Sequence, residues 1–190
     1  DDLPALQDMP GVKEAYLMPT FSVPDVQATA AEITPAMKYV GPGMGAAAAW
    51  DLGNRGEGML VSVIDTGLYL ENPIFAQAPA DAGQVALSKE DVAAVLEQNQ
   101  LHAQTLLEGV TVDSVYYSSK IPFGFDYANL TAAFGNDDNY LGHGTHVAGI
   151  VAGNLPEDLQ EEYETATLGI APEAQLLSMN VFDSSGGARM

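Results

Sequence analysis

The sequence predicts an α/β fold, an incomplete parallel sheet flanked by helices, and three observations carry that expectation. The run Met59-Leu-Val-Ser-Val-Ile64 is almost continuously apolar and bounded by glycines, the pattern of a strand buried on both faces. Two further strand candidates follow, around 121–127 and 175–182, and stretches with helical spacing separate the three. Composition agrees: 47% of the 190 residues are hydrophobic and 17% charged, enough apolar side chain to build a core.

Charge and cysteine content narrow the function classes. Six Lys and Arg stand against 26 Asp and Glu, a formal net charge of −20. A chain of that sign is a poor partner for nucleic-acid backbones or anionic membrane surfaces. With no Cys, disulfides, thiolate metal sites and Cys nucleophiles are excluded. The absence of Cys also fits an exported bacterial protein. No apolar run approaches the ~18 residues of a membrane helix, so no membrane insertion is expected of this chain. Asp1-Asp2 is not a signal-peptide start, and for an exported protein the leader is expected to lie outside these residues.

Along the chain, residues 1–22 read as a short amphipathic piece, a turn at Pro10-Gly11, and a strand. Residues 25–52 are Ala-rich and read as one or two helices, broken at Gly41-Pro42-Gly43 and closed by Gly53. The strand at 59–64 ends in Asp65-Thr66-Gly67. Residues 81–109 carry helical spacing, with Ser88 and Asp91 placed as a capping box. Ile121 to Tyr127 is the second strand candidate, weakened by Pro122. A polar loop, Asn136-Asp-Asp-Asn139, precedes Leu141-Gly-His-Gly-Thr-His-Val-Ala-Gly-Ile-Val-Ala152, which reads as a helix of small residues. The five carboxylates between Glu157 and Glu164 read as a solvated face; structural calcium is conceivable there, but no ordered ligand pattern supports it. Ala174 to Phe182 supplies the third strand.

Two features carry chemistry. Asp65 stands at the carboxyl end of a buried strand, where parallel sheets present functional groups to the crevice beyond. By itself it is equally well an Asp capping the turn before Gly67. His143 and His146, two of only three His in the chain, lie about one helical turn apart at a helix start. Taken alone they are a metal-ligating pair or two satisfied core histidines. Gly169-Ile-Ala-Pro172 says only that a turn precedes a buried strand.

The ordered combination is far more specific. An apolar strand ending Asp-Thr-Gly, then Gly-His-Gly-Thr-His-Val-Ala-Gly-Ile-Val-Ala, then Gly-Ile-Ala-Pro-Glu-Ala-Gln-Leu, resembles the subtilisin-like serine proteases (subtilases) from about Gly45 to Phe182. The family's triad runs Asp, His, Ser in chain order. The resemblance implies that Asp65 is the triad aspartate, that His143 is the triad histidine, and that His146 supports the site without acting in it. It also implies a secreted serine endopeptidase that cleaves protein or peptide substrates and requires no cofactor for its chemistry.

The family's Gly-Thr-Ser-Met-Ala-type nucleophile motif and its oxyanion-hole Asn are not found; Ser184 and Ser185 lack the flanking sequence of a nucleophile. Residues 23–190 therefore read as the N-terminal half of a catalytic domain, inert alone. The rest of that domain, or a second copy meeting an exposed sheet edge, is expected to cover the apolar surface left open. Asp65 and His143 lie 78 residues apart, a long interval for a compact subtilase. The intervening Ser119-Lys-Ile-Pro-Phe-Gly-Phe-Asp-Tyr-Ala-Asn129, with Ser88-Lys-Glu-Asp-Val92 before it, resembles the lactocepin-like cell-envelope proteinases, which implies secretion and, often, cell-wall attachment. Met9-Pro-Gly-Val-Lys-Glu-Ala-Tyr-Leu17 is similar to the closing strand of the inhibitor-type propeptide in this family. Residues 1–22 then belong to a propeptide tail, with cleavage in the twenties or later.

Other readings fit less of the sequence. An aspartic protease shares Asp-Thr-Gly but needs two such carboxylates and leaves the histidines unexplained. A metallohydrolase built on His143, His146 and Asp65 lacks a Glu between the histidines to act as base. The remaining alternative is a non-catalytic binding module, or degenerate protease, that retains the subtilase fold.

Overall fold

A computed structural model describes residues 3–15, 20–22, 43–77, 85–135, 142–156, 159, 168–183 and 187–189. Its centre is a three-stranded parallel sheet in the spatial order β2 (Leu60–Asp65), β4 (Gln175–Asn180), β3 (Phe123–Asp126). The register sets Asp65, Asn180 and Asp126 side by side at the carboxyl edge. Before the sheet come α1 (Leu3–Gln7), β1 (Thr20–Ser22) and α2 (Ala46–Asp51). Between β2 and β3 stand a short 3-10 turn (Pro73–Phe75) and three helices, α3 (Lys89–Glu97), α4 (His102–Leu106) and α5 (Val112–Val115). Helix α6 (His143–Ala152) precedes β4, and β5 (Gly187–Arg189) pairs antiparallel with β1.

The sheet has a helical layer on each face. On one, Val63 and Leu176 pack with Ala148 and Ala152 of α6 and with Leu68, Phe75 and Phe134. On the other, Phe123, Phe125, Leu177 and Met179 meet Val92, Ala103 and Val115 from the three inserted helices. Gly124 is required by this packing: a Cβ there would fall 2.1 Å from the Phe134 ring.

The three parallel strands lie where the apolar runs place them, but β2 departs from the expected burial on both faces. Leu60, Ser62 and Ile64 are exposed, Ile64 at 64%. The reason is positional: β2 is an edge strand, α6 covers the face of Val61 and Val63, and nothing among the described residues covers the other. The helical span at 81–109 is also divided. Ser88 and Asp91 do form the capping box that starts α3, and the Ser88 hydrogen bonds hold the Asp91 carboxyl below its usual range. Asn99 then takes a left-handed φ of 51°, which ends the helix before α4 begins. Residues 9–15 hold no strand; the first one described is β1, further on. The polar loop 136–139, most of the acidic stretch 157–164, the helices expected before residue 43, and Ser184 and Ser185 lie outside the described residues.

Two buried polar side chains fasten the insertion to the sheet. Gln175 Oε1 accepts from Leu87 N–H, while its Nε2 donates to Leu87 O and Ser119 O. Lys120 Nζ donates to Pro172 O at 2.6 Å and Ala174 O at 2.7 Å. Burial lowers the Lys120 pKa to about 8, with the Glu173 carboxylate pulling against it. A lysine whose pKa falls on folding costs stability at neutral pH, and the cost fades as pH rises from about 8 toward the ordinary 10.5. The expected result is that the denaturation midpoint of wild type, measured against Lys120→Met, gains on the variant between pH 8 and 10. A pH-independent difference would contradict it.

Candidate active site

Asp65 is the last residue of β2, and its carboxylate therefore projects beyond the sheet. His143 is the first residue of α6, which starts at Gly142 in a left-handed conformation (φ 75°) that a residue without Cβ adopts freely. These two origins, 78 residues apart in sequence, converge: His143 Nδ1 lies 2.7 Å from Asp65 Oδ1. Both side chains are partly covered, His143 at 21% and Asp65 at 13% exposure, so the contact is shielded while the ring stays reachable. The same Asp65 oxygen accepts from Thr66 N–H at 2.8 Å. With Nδ1 facing the carboxylate, Nε2 is the nitrogen left to exchange a proton with another group, the arrangement that activates a hydroxyl nucleophile.

Local sequence explains how the helix comes so close. Gly144 packs against the turn after β2; a Cβ on it would sit 2.2 Å from Gly67 O. Thr66 Oγ1 accepts from Gly144 N–H at 2.9 Å, and Thr145 Oγ1 accepts from Tyr69 N–H at 2.8 Å. His146, the second histidine of the pair, has an exposed side chain on the next turn of α6. Among the described residues no group of three or more His, Asp or Glu is arranged to hold a metal ion.

Thus Asp65 and His143, singled out from the motifs, are in direct contact. The two threonines carry no such signal: a hydroxyl that accepts a backbone N–H from a segment distant in sequence leaves no local sequence pattern.

Residues 56–190 match the subtilase family. The chain belongs to that family. Among the relatives of this subtilase, the PII-type proteinase of Lacticaseibacillus paracasei is 32% identical over 189 residues, 97% of this chain and 8% of that protein. The Minor extracellular protease Vpr of Bacillus subtilis (strain 168) is 28% identical over 192 residues, covering 98% of this chain and 18% of the relative. The C5a peptidase of Streptococcus pyogenes serotype M6 (strain ATCC BAA-946 / MGAS10394) is 30% identical over 127 residues, 67% of the chain and 9% of the relative. The chain thus spans less than a fifth of the length of each of these curated relatives. The similarity to the PII-type proteinase runs across nearly the whole chain, insertion included, in line with the likeness to lactocepin-like proteinases read from residues 88–129. The subtilase family is one of serine peptidases, with protein or peptide as substrate. No helix among the described residues is long and apolar enough to cross a membrane.

Proposed function

We propose that this chain carries two thirds of the catalytic triad of a secreted serine endopeptidase. The observation that carries the reading is the 2.7 Å contact between His143 Nδ1 and Asp65 Oδ1 at the carboxyl edge of the sheet, in a subtilase. Asp65 holds the imidazole in one tautomer and stabilises its protonated form. His143 takes the proton of a serine hydroxyl as that oxygen attacks the peptide carbonyl, then returns it to the leaving amine. The serine and the donors for the tetrahedral oxyanion come from sequence outside the 190 residues, so these alone are inert. The activation is done by imidazole and carboxylate, and the reading calls on no cofactor. The uncovered face and edge of β2 are where the rest of the catalytic domain packs.

The backbone pairing of β1 with β5 supports a further part of the reading. Thr20–Ser22 lies antiparallel on Gly187–Arg189, and Asp183 N–H, just beyond the end of β4, donates to Gly187 O. An extended peptide laid on that edge would bind by strand addition. Residues 1–22 then act as a propeptide tail, with Thr20–Ser22 held on β5 as such a peptide would be. The name of the Bacillus subtilis relative supports export, and similarity to the PII-type proteinase supports the cell-envelope class.

The test is labelling of the full-length protein by a fluorophosphonate probe. Labelling that disappears in His143→Ala and resists chelators is the expected result. An unlabelled wild type would make the protein a binding module, and loss of activity to chelators with the fold intact would make it a metalloenzyme.

A further inference from the structure

The Asp65–His143 contact is accompanied by a second set of bonds between the same two segments, and these run in both directions. From the turn after β2, Thr66, only 2% exposed, accepts Gly144 N–H on its hydroxyl. From α6, Thr145 accepts Tyr69 N–H. An α-helix leaves its first backbone N–H groups without intrahelical partners, and they are normally capped by the residue just before it. Here that residue is Gly142, which has no side chain to offer. The cap is therefore supplied from 78 residues away, by the neighbour of the catalytic aspartate. Thr66 also donates its own N–H to Asp65 Oδ1, the oxygen that His143 Nδ1 meets. One residue thus fixes the carboxylate through its backbone and the start of the histidine's helix through its hydroxyl.

We propose that Thr66 and Thr145 are positioning residues: a reciprocal pair of threonine caps that locks the start of α6 to the turn after β2 and so sets the distance and angle at which His143 meets Asp65. The inference rests on reading Asp65 and His143 as a catalytic pair and goes beyond it, since the family likeness assigns the threonines no role. The physical ground is that both N–H groups belong to the two segments bearing the triad residues. With either hydroxyl removed, the backbone donor behind it must find water, and the helix start shifts to let water in. A displacement near 1 Å in such a site costs about 10²-fold in turnover.

The experiment uses the full-length proteinase with Thr66→Val, Thr66→Ser, Thr145→Val and His143→Ala, each followed by kcat, KM, kcat/KM and the thermal midpoint. Thr66→Val is expected to lower kcat about 10²-fold with KM little changed. Its kcat/KM should fall to the same extent, because what is lost is alignment needed in the transition state and not substrate binding. Thr66→Ser, which keeps the hydroxyl, should restore both. Thr145→Val should act in the same direction, and it provides the decision should Thr66→Val fail to fold. A lowered thermal midpoint with unchanged kcat and kcat/KM would make the threonines structural only and overturn the inference, as would a serine variant no better than valine. Retained proteolysis in His143→Ala would instead sink the catalytic reading itself, so the two failures are distinguishable.

Discussion

Replacing His143 by alanine in the full-length protein should lower kcat by about 10⁶-fold, the loss measured for the corresponding change in subtilisin, another member of this family. Asp65→Asn should cost less, about 10⁴-fold, because the imidazole remains and only its orientation and the charge opposite it are lost. The order of the two effects carries the argument. If Asp65 served chiefly as a turn cap, through its bond to Thr66 N–H, its replacement would cost stability and leave turnover close to wild type. If His143 were a packing residue, alanine would loosen α6 and affect binding and turnover alike. The triad reading requires that kcat collapse in both variants, with the thermal midpoint and KM little moved, and that the histidine variant be the worse of the two. The measurement is steady-state hydrolysis of a peptide substrate alongside thermal unfolding. Turnover in His143→Ala within tenfold of wild type would end the assignment.

That much of the site was legible because its two halves sit at features with strong local signals. A near-continuous apolar run closed by Asp65-Thr66-Gly67 marks both a strand and its end, and Gly142 with the small residues behind His143 marks a helix and its start. The meeting of the two came from the resemblance, since no periodicity relates positions 78 residues apart. What the sequence left hidden is of another kind. The apolar run at 59–64 says that its side chains favour burial, but not which neighbour buries them, and Ile64 is left exposed on β2. The break at Asn99 depends on one residue adopting a left-handed conformation inside a region of good helical spacing. The anchoring of the insertion by Gln175 and Lys120 is made of side chain to backbone bonds across the sheet's amino end, which have no signature in spacing or composition.

Gly144→Ala should separate the contribution of close approach from that of the triad groups themselves. The added Cβ would lie 2.2 Å from Gly67 O and 3.1 Å from Thr66 Oγ1. The nearer obstacle is backbone, which cannot rotate out of the way, so the first turn of α6 or the turn after β2 must retreat by about 1 Å to reach ordinary contact. Overpacking of this sort costs roughly 1–3 kcal/mol of stability. The same retreat stretches both threonine bonds and carries His143 away from Asp65, so kcat should fall by about 10²-fold even in the fraction that remains folded. Gly43→Ala is the matched control, because Gly43 has open space around it and no left-handed φ, and a surface change of that sort should stay within about 0.5 kcal/mol. The decisive comparison is kcat per folded molecule. A Gly144→Ala protein that unfolds more easily yet turns over at the wild-type rate would mean that the helix can shift without moving its histidine, and the packing of α6 would then have no part in aligning the pair.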